Sequence, residues 1–430
     1  MSVSTRSLPK ESLPTYSEID LNAFSYNLQQ VRLKVGRHRK IIAVIKADAY
    51  GHGAVEIART ASVNGADMLG VSTVDEGGEI RKAGIGSPIL VLSGCLKGDK
   101  EGIVLYNLNS VVYLYETVLS LSKEAEKAGK VVSVHIKVDT GMERIGIQPD
   151  KVREFIRAVN SLPHIKIEGI LTHFAASYEQ DKSFTEQQIK IFKDLIDELR
   201  QDGYQIPVVH ASNSAAIVNY PDSYFNAVRP GIILYGSLPF DFPLPPFASP
   251  SKGGDERGVF KPVMRWKTEI IHLHTVPKGT GISYGRRFIT KRDSIIATIP
   301  VGYADGYSRS LSNRAQVLVR GMRVPQVGTI CMDMCMIDVT DLRDVTVGDE
   351  VVLMGRQGYE EIRVEELASL LEPGKNEGGY IDPVFDPKQQ WFWSADKRTS
   401  GKAWSVSIRA GIVTLESDES KYYVRGIRSR

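Results

Sequence analysis

The chain has 430 residues, 42% hydrophobic and 24% charged, an ordinary globular composition with enough apolar material for a sizeable core. The net charge is only +3 and the basic residues form no single run, which speaks against a nucleic-acid-binding surface. Three cysteines, Cys95, Cys331 and Cys335, are too few and too uneven for a disulfide framework, and no stretch has the apolar length of a membrane span.

The N-terminal residues are polar and show no apolar signal core, so the expected address is the cytoplasm. Eight strand-like runs follow: Lys40 to Lys46, Met68 to Thr73, Pro88 to Ser93, Val111 to Tyr115, Val131 to Val138, Ile167 to Phe174, Pro207 to Ala211 and Val228 to Tyr235. Helical patterns lie between most of them, clearest at Ala54 to Asn64 and Phe184 to Arg200, and Ser183 with Glu186 resembles a capping box opening the second. Apolar runs separated by helices imply buried parallel strands, and eight such units imply a (β/α)8 barrel of the TIM type over 14–238. A doubly wound open sheet is the rival arrangement. Residues 239–261 are rich in Pro, Gly and Ser and read as a linker or insertion. A mainly β domain is expected over 262–430, with a short helix at Val364 to Leu371. Within it, 372–404 carries no assignable pattern, and Ala403 to Val424 suggests two last strands. Cys331 and Cys335 lie four apart in an apolar run with no histidine beside them, which reads as core packing, and no metal site is expected.

A barrel of this type carries its chemistry on the loops after its strands. Those loops hold Lys46 and Tyr50, Lys137 and Arg144, His173, Asn213 and Ser214, and Arg229 with Gly231. An amine at the end of an apolar run loses its proton readily and can form a Schiff base with a carbonyl cofactor. Ser214 opens a segment that resembles a helix start, and Gly231 allows close backbone approach, which together suit a phosphate. A reactive lysine with a phosphate cradle points to pyridoxal phosphate. Each residue also has a plainer reading: Lys46 as a solvated strand end, His173 as a core histidine, Arg144 as an ion-pair partner of Asp139.

Several segments resemble the alanine racemases. They are AVIKADAYGHG (43–53), KVDTGMERIG (137–146), GILTHFA (169–175), HASNSAA (210–216) and VRPGIILYG (228–236), then GISYGRRF (281–288), PVGYADGY (300–307) and VGTICMDM (327–334). The resemblance runs in the family's order over about 14–371. It implies a racemase that interconverts L- and D-alanine and supplies D-alanine for peptidoglycan. It implies that Lys46 carries the pyridoxal phosphate and is one base, with Tyr284 the other on the opposite face. It further implies that Tyr50, Asn213, Ser214, Gly231 and Ile232 contribute to cofactor binding, that His173 lies near the ring, and that Arg229 faces the pyridine nitrogen. Arg144 and Met332 would border the substrate. Tyr284 and Met332 would come from a partner subunit, so a homodimer with shared sites is expected. Lys137 resembles a lysine that is carbamylated in some members. The family's closing phosphate-binding tyrosine has no recognisable counterpart, with Tyr422 and Tyr423 the nearest substitutes. A decarboxylase on the same barrel and a non-catalytic cofactor carrier are the competing functions. Arg229 argues against the first and the β domain with Tyr284 against the second.

Overall fold

The computed structural model describes residues 14–96, 98–237 and 260–371, together with four strands beyond them. Two compact units divide the chain: Asp20–Val263, and a second formed by the residues before and after that span.

In the first unit eight parallel strands close into a barrel. After a strand β1 (Tyr16–Ile19) that belongs to the second unit, the barrel strands are β2 (Lys40–Val44), β3 (Met68–Val71), β4 (Ile89–Val91), β5 (Asn109–Val112), β6 (Val132–Lys137), β7 (Ile165–Leu171), β8 (Val208–His210) and β9 (Ala227–Val228). β9 pairs back onto β2 through Lys40 with Ala227 and Ile41 with Val228, which closes the ring. Ile42, Met68, Leu90, Val111 and Leu171 form one buried cluster contributed by five of these strands. Their neighbours Ile41, Ala43, Leu69 and Ile89 are also fully buried, as expected of strands covered on both faces.

Two local expectations give way. The run Val228 to Tyr235 is a two-residue strand followed by a 3-10 turn at Ile232–Tyr235, because Pro230 has no N–H to continue a ladder. Ser183 does not cap the long helix Ser183–Gln201: its backbone N–H donates to Asp181 Oδ1, and no side-chain cap bond is made by the residue before it. The capping box lies instead at the helix Val74–Lys82, between Thr73 and Glu76. A helix that the strand pattern did not announce, Leu21–Val35, precedes the first barrel strand, capped by Asp20 and buried through Phe24, Leu28 and Val31.

The second unit is mainly antiparallel. Its strands are β10 (Met264–Glu269), β11 (His272–Val276), β12 (Gly281–Ile282), β13 (Phe288–Ile289), β14 (Ser294–Ile299), β15 (Gln316–Val319), β16 (Met322–Val327), β17 (Cys335–Asp338), β18 (Glu350–Gln357) and β19 (Glu360–Ile362). They form a nine-stranded sheet in the order β1-β10-β18-β15-β16-β17-β14-β11, with β19 beside β18, and β12-β13 is a separate hairpin. Tyr307, Val317, Leu318, Val352 and Ile337 centre its core, and Trp266 packs edge-on to Tyr307 at 5.7 Å. Cys335 is buried within this core. The helix Val364–Leu371 forms where expected. Four further strands, Trp391–Ser394, Trp404–Ser407, Ile412–Leu415 and Lys421–Tyr423, make an antiparallel sheet, so the closing span holds more strands than its pattern suggested. The remainder of the expected insertion at 372–404 and most of the linker at 239–261 lie outside the described residues. Among the described residues no helix is long and apolar enough to cross a membrane.

Candidate active site

Lys46 stands just past the end of β2. The four residues after it, Ala47 to Tyr50, have φ between 52° and 55° and ψ between 38° and 54°. They make a turn of left-handed helix, a conformation that costs roughly 1–2 kcal/mol per residue for L-amino acids. Side chains hold it in place. Glu76 Oε1 accepts from the Ala47 N–H at 2.8 Å, Asp48 Oδ1 accepts from the Ala54 N–H at 2.6 Å, and His52 Nδ1 lies 2.9 Å from the Tyr50 carbonyl. Burial pulls the His52 imidazole down to about 4, so this ring is neutral near pH 7. The turn leaves the Tyr50 ring against Tyr235, 4.8 Å between centroids, while the Tyr235 hydroxyl donates to the Val44 carbonyl.

Tyr50, Ser214 and Gly231 meet at one recess. A Cβ built on Gly231 would fall 2.6 Å from Tyr50 Oη and 3.7 Å from Ser214 Oγ, so glycine lets the Tyr50 hydroxyl lie this close to the backbone. The Gly231 N–H donates to Ser214 Oγ at 2.9 Å, which leaves the serine proton to point elsewhere. Asn213 caps the short helix that starts at Ser214: its Oδ1 accepts from the Ala216 N–H and from the Ser177 hydroxyl. The Asn213 oxygen is thus committed to the protein's own backbone and to Ser177. Ile232 begins the 3-10 turn beside this recess.

Arg229 follows β9 and is 4% exposed. Its guanidinium donates to the carbonyls of His210, Thr172 and Ala211 at 3.0, 2.7 and 2.7 Å. It also lies 2.8 Å from His210 Nδ1 and 3.4 Å from His173 Nδ1. Burial pulls its pKa down to about 9, which still leaves it cationic at neutral pH. A guanidinium can only donate, so His210 Nδ1 accepts, and the His210 proton sits on Nε2. From there it donates to His135 Nδ1 at 2.9 Å, which places the His135 proton on Nε2. Burial and then the charge of Arg229 hold His135 at about 3 and push His210 well below its ordinary value. His173 is pushed well down too, by burial and then by Lys137, Arg229, Arg144 and Lys46, so basic side chains gather about this ring. The His135 ring occupies the place where any side chain at Gly169 would stand.

Lys137 ends β6 and is buried. Burial, with Arg229 and Arg144 nearby, pushes its amine well below the usual lysine range, against the pull of Asp139. Asp139 organises the next loop. Burial pushes its carboxyl up, but N–H groups of Gly141, Met142, Glu143 and Arg144 donate to it and hold it below the usual range. Arg144 thus reaches Asp139 through its backbone, whatever else its side chain does.

In the second unit Tyr284 opens a 3-10 turn and is 72% exposed. Its carbonyl accepts from Thr329 Oγ1 at 2.8 Å, and Ser283 Oγ donates to the Thr329 carbonyl at 2.6 Å. Met332 is on the neighbouring loop, where its carbonyl accepts from the Ala304 N–H. The sequence reading did not single out Glu76 or His135, named Asp139 only as a partner for Arg144, and met His210 only as the first residue of a matching segment. For Glu76 a signal existed, the Thr73–Glu76 capping spacing.

Comparison with known proteins fits this geometry. The profile of the alanine racemase N-terminal domain matches residues 19–239, and that of the C-terminal domain matches 263–377. An alanine racemase of Halothermothrix orenii is 48% identical over 355 residues, covering 83% of this chain and 91% of the relative. The chain belongs to the alanine racemase family. Alanine racemases are isomerases, and this barrel with its antiparallel second unit is the architecture of the family's solved structures. That of Clostridium difficile superposes with a TM-score of 0.77 at 39% identity, covering 84% of this chain and 91% of the other. That of Bartonella henselae, with covalently bound pyridoxal phosphate, has a TM-score of 0.70 at 27% identity over 83% and 94% of the two chains.

Proposed function

We propose that the chain interconverts L- and D-alanine, with pyridoxal phosphate held on Lys46, and that it supplies D-alanine for peptidoglycan. The observation that carries the reading is Arg229: a buried cation, fixed by three carbonyls, among imidazoles that stay neutral. The residues present fit the cofactor. The recess at Gly231, lined by hydroxyls of Ser214 and Tyr50, suits its phosphate, with the Ile232 backbone beside it. When bound, pyridoxal phosphate supplies an electron-withdrawing ring that acidifies the α-hydrogen of an amino acid. Arg229 keeps its proton at neutral pH, so the ring nitrogen that it would face stays unprotonated, which tempers that withdrawal and disfavours side reactions. Lys46 Nζ and Tyr284 Oη then act on opposite faces, one removing a proton and the other returning one. His173 packs beside Arg229 near the ring, and Arg144 and Met332 border the substrate. Lys137, which resembles a lysine carbamylated in some members, is an amine that burial and two nearby arginines push toward losing its proton, and a carbamate there would be anionic.

Two copies would share their sites, Tyr284 and Met332 serving the partner. In support, Tyr284, Tyr303, Met332 and Met334 are all exposed apolar side chains on the second unit, suited to burial against another protein surface. The sparse, odd cysteine content supports a cytoplasmic address. The test is incubation of the purified protein and cofactor with L-alanine, followed by chiral chromatography. D-alanine should accumulate to an equal mixture. Release of the carboxyl carbon as CO2 without D-alanine would establish a decarboxylase instead.

A further inference from the structure

We infer that Glu76 is a positioning residue for Lys46, holding the lysine's backbone through the carboxylate that also caps the helix Val74–Lys82. The inference rests on the reading of Lys46 as the reacting lysine. In β2 and β3 the last rung beside the site is the Ile45 N–H donating to the Gly70 carbonyl at 2.8 Å. Beyond it the strands part, and the next N–H group on each side turns to one carboxylate. Glu76 Oε1 takes the Ala47 N–H at 2.8 Å, and Oε2 takes the Ser72 N–H at 2.6 Å and the Thr73 N–H at 3.2 Å. The carboxylate thus replaces a rung of the parallel ladder, one oxygen per strand. Lys46 lies between Ile45 and Ala47, so its backbone is fastened on both sides.

The helix cap does not require this. Its two bonds join the Glu76 N–H to Thr73 Oγ1 at 3.3 Å and the Thr73 N–H to Glu76 Oε2. The bond to Ala47 lies outside that motif. It meets the first of four left-handed residues, where the backbone resists its own conformation and needs an external hold. Glu76 is buried, so water does not substitute as the acceptor. A glutamine has one acceptor oxygen, and its NH2 would face one of these donors.

The test compares Glu76→Gln with Thr73→Ala in the holoenzyme. Thr73→Ala removes the cap bond and leaves Ala47 untouched. It should lower the thermal midpoint while kcat stays within about twofold. Glu76→Gln should lower kcat about ten- to a hundredfold with a smaller change in KM, as expected for a misplaced reacting group, and should shift the pH profile of kcat. It should also speed the loss of pyridoxal phosphate on dialysis. Should Glu76→Gln fail to fold, Glu76→Asp decides by the same readouts, because its shorter carboxylate cannot span both loops. Full kcat in the Glu76 variant, or equal losses in both variants, would overturn the inference. Borohydride reduction of the holoenzyme with peptide mapping separates this from the underlying reading. Modification of a lysine other than Lys46 would overturn both, whereas modified Lys46 with a fully active Glu76 variant would overturn this inference alone.

Discussion

Arg229 places a lasting positive charge inside the barrel, and the residues around it have adapted by giving up theirs. His210 and His135 form a chain in which each proton position follows from the one before, beginning at a guanidinium that cannot accept. The last member, His135, has a buried Nε2 without a partner among the described residues. This arrangement has a pH signature. An unfolded His135 takes a proton near its ordinary value of 6.5, and the folded one only near 3. Between these values the unfolded chain binds more protons, so stability is full above about 6.5 and falls as the pH drops. The urea midpoint should therefore decline from pH 7 to pH 5. In His135→Gln, whose side-chain carbonyl can still accept from His210, that decline should be shallower. An equal decline in both proteins would show that His135 does not carry the effect. None of this could be read from the sequence, where His135 and His210 are single histidines in apolar runs. Their meaning comes from a partner 75 positions away.

The loops after the strands decide what the barrel can hold. Sequence pattern placed Lys46, Lys137, His173 and Ser214 at or just after strand ends and Arg229 at the start of the last run, and the early end of β9 at Val228 puts Arg229 after a strand as well. What the pattern did not carry was the handedness of the turn after Lys46. Three of its residues, Ala47, Ala49 and Tyr50, are acceptable in an ordinary right-handed helix, and periodicity is blind to the difference. The same limit explains the misplaced cap. Ser183–Glu186 and Thr73–Glu76 share one spacing, and only the second forms both bonds. At the loop after β9, the Tyr50 hydroxyl already stands where a Cβ on Gly231 would fall, so glycine is needed there for space. Gly231→Ala should keep the fold and push Tyr50 aside. At a cost of about 1–3 kcal/mol for overpacking, pyridoxal phosphate should bind roughly tenfold or more weakly. Fluorescence titration of the apoprotein checks this, and unchanged affinity would remove Gly231 from the cofactor site.

At the scale of the whole chain, the alternation of strands and helices announced the barrel, and the change of texture after Gly236 announced a second, β-rich architecture. Period-two patterns do not state strand order, so the nine-stranded sheet, with β1 from the N-terminal side at its edge, was beyond reach. Lys46 belongs to one compact unit and Tyr284 to the other. If the second base comes from the partner, inactive Lys46→Ala and Tyr284→Phe chains should complement each other. Random pairing of equal amounts makes half the dimers mixed, each with one intact site, so about a quarter of the wild-type rate should return. Mixing, dissociation and reassociation, followed by a racemisation assay, measures it. No recovery despite proven exchange would place both bases within one chain.

The left-handed turn beside Lys46 also shapes what substitutions this stretch can accept. Across most of a protein, glycine and asparagine are poor replacements for alanine, and valine or isoleucine at least keep the backbone comfortable. At positions 47 to 50 that ranking inverts, because branched side chains and proline exclude a φ near 52° whereas glycine, asparagine and aspartate tolerate it. A randomised library over these four codons, selected for function, would write the handedness of the turn into its surviving sequences. The chain already carries one such mark in Asp48.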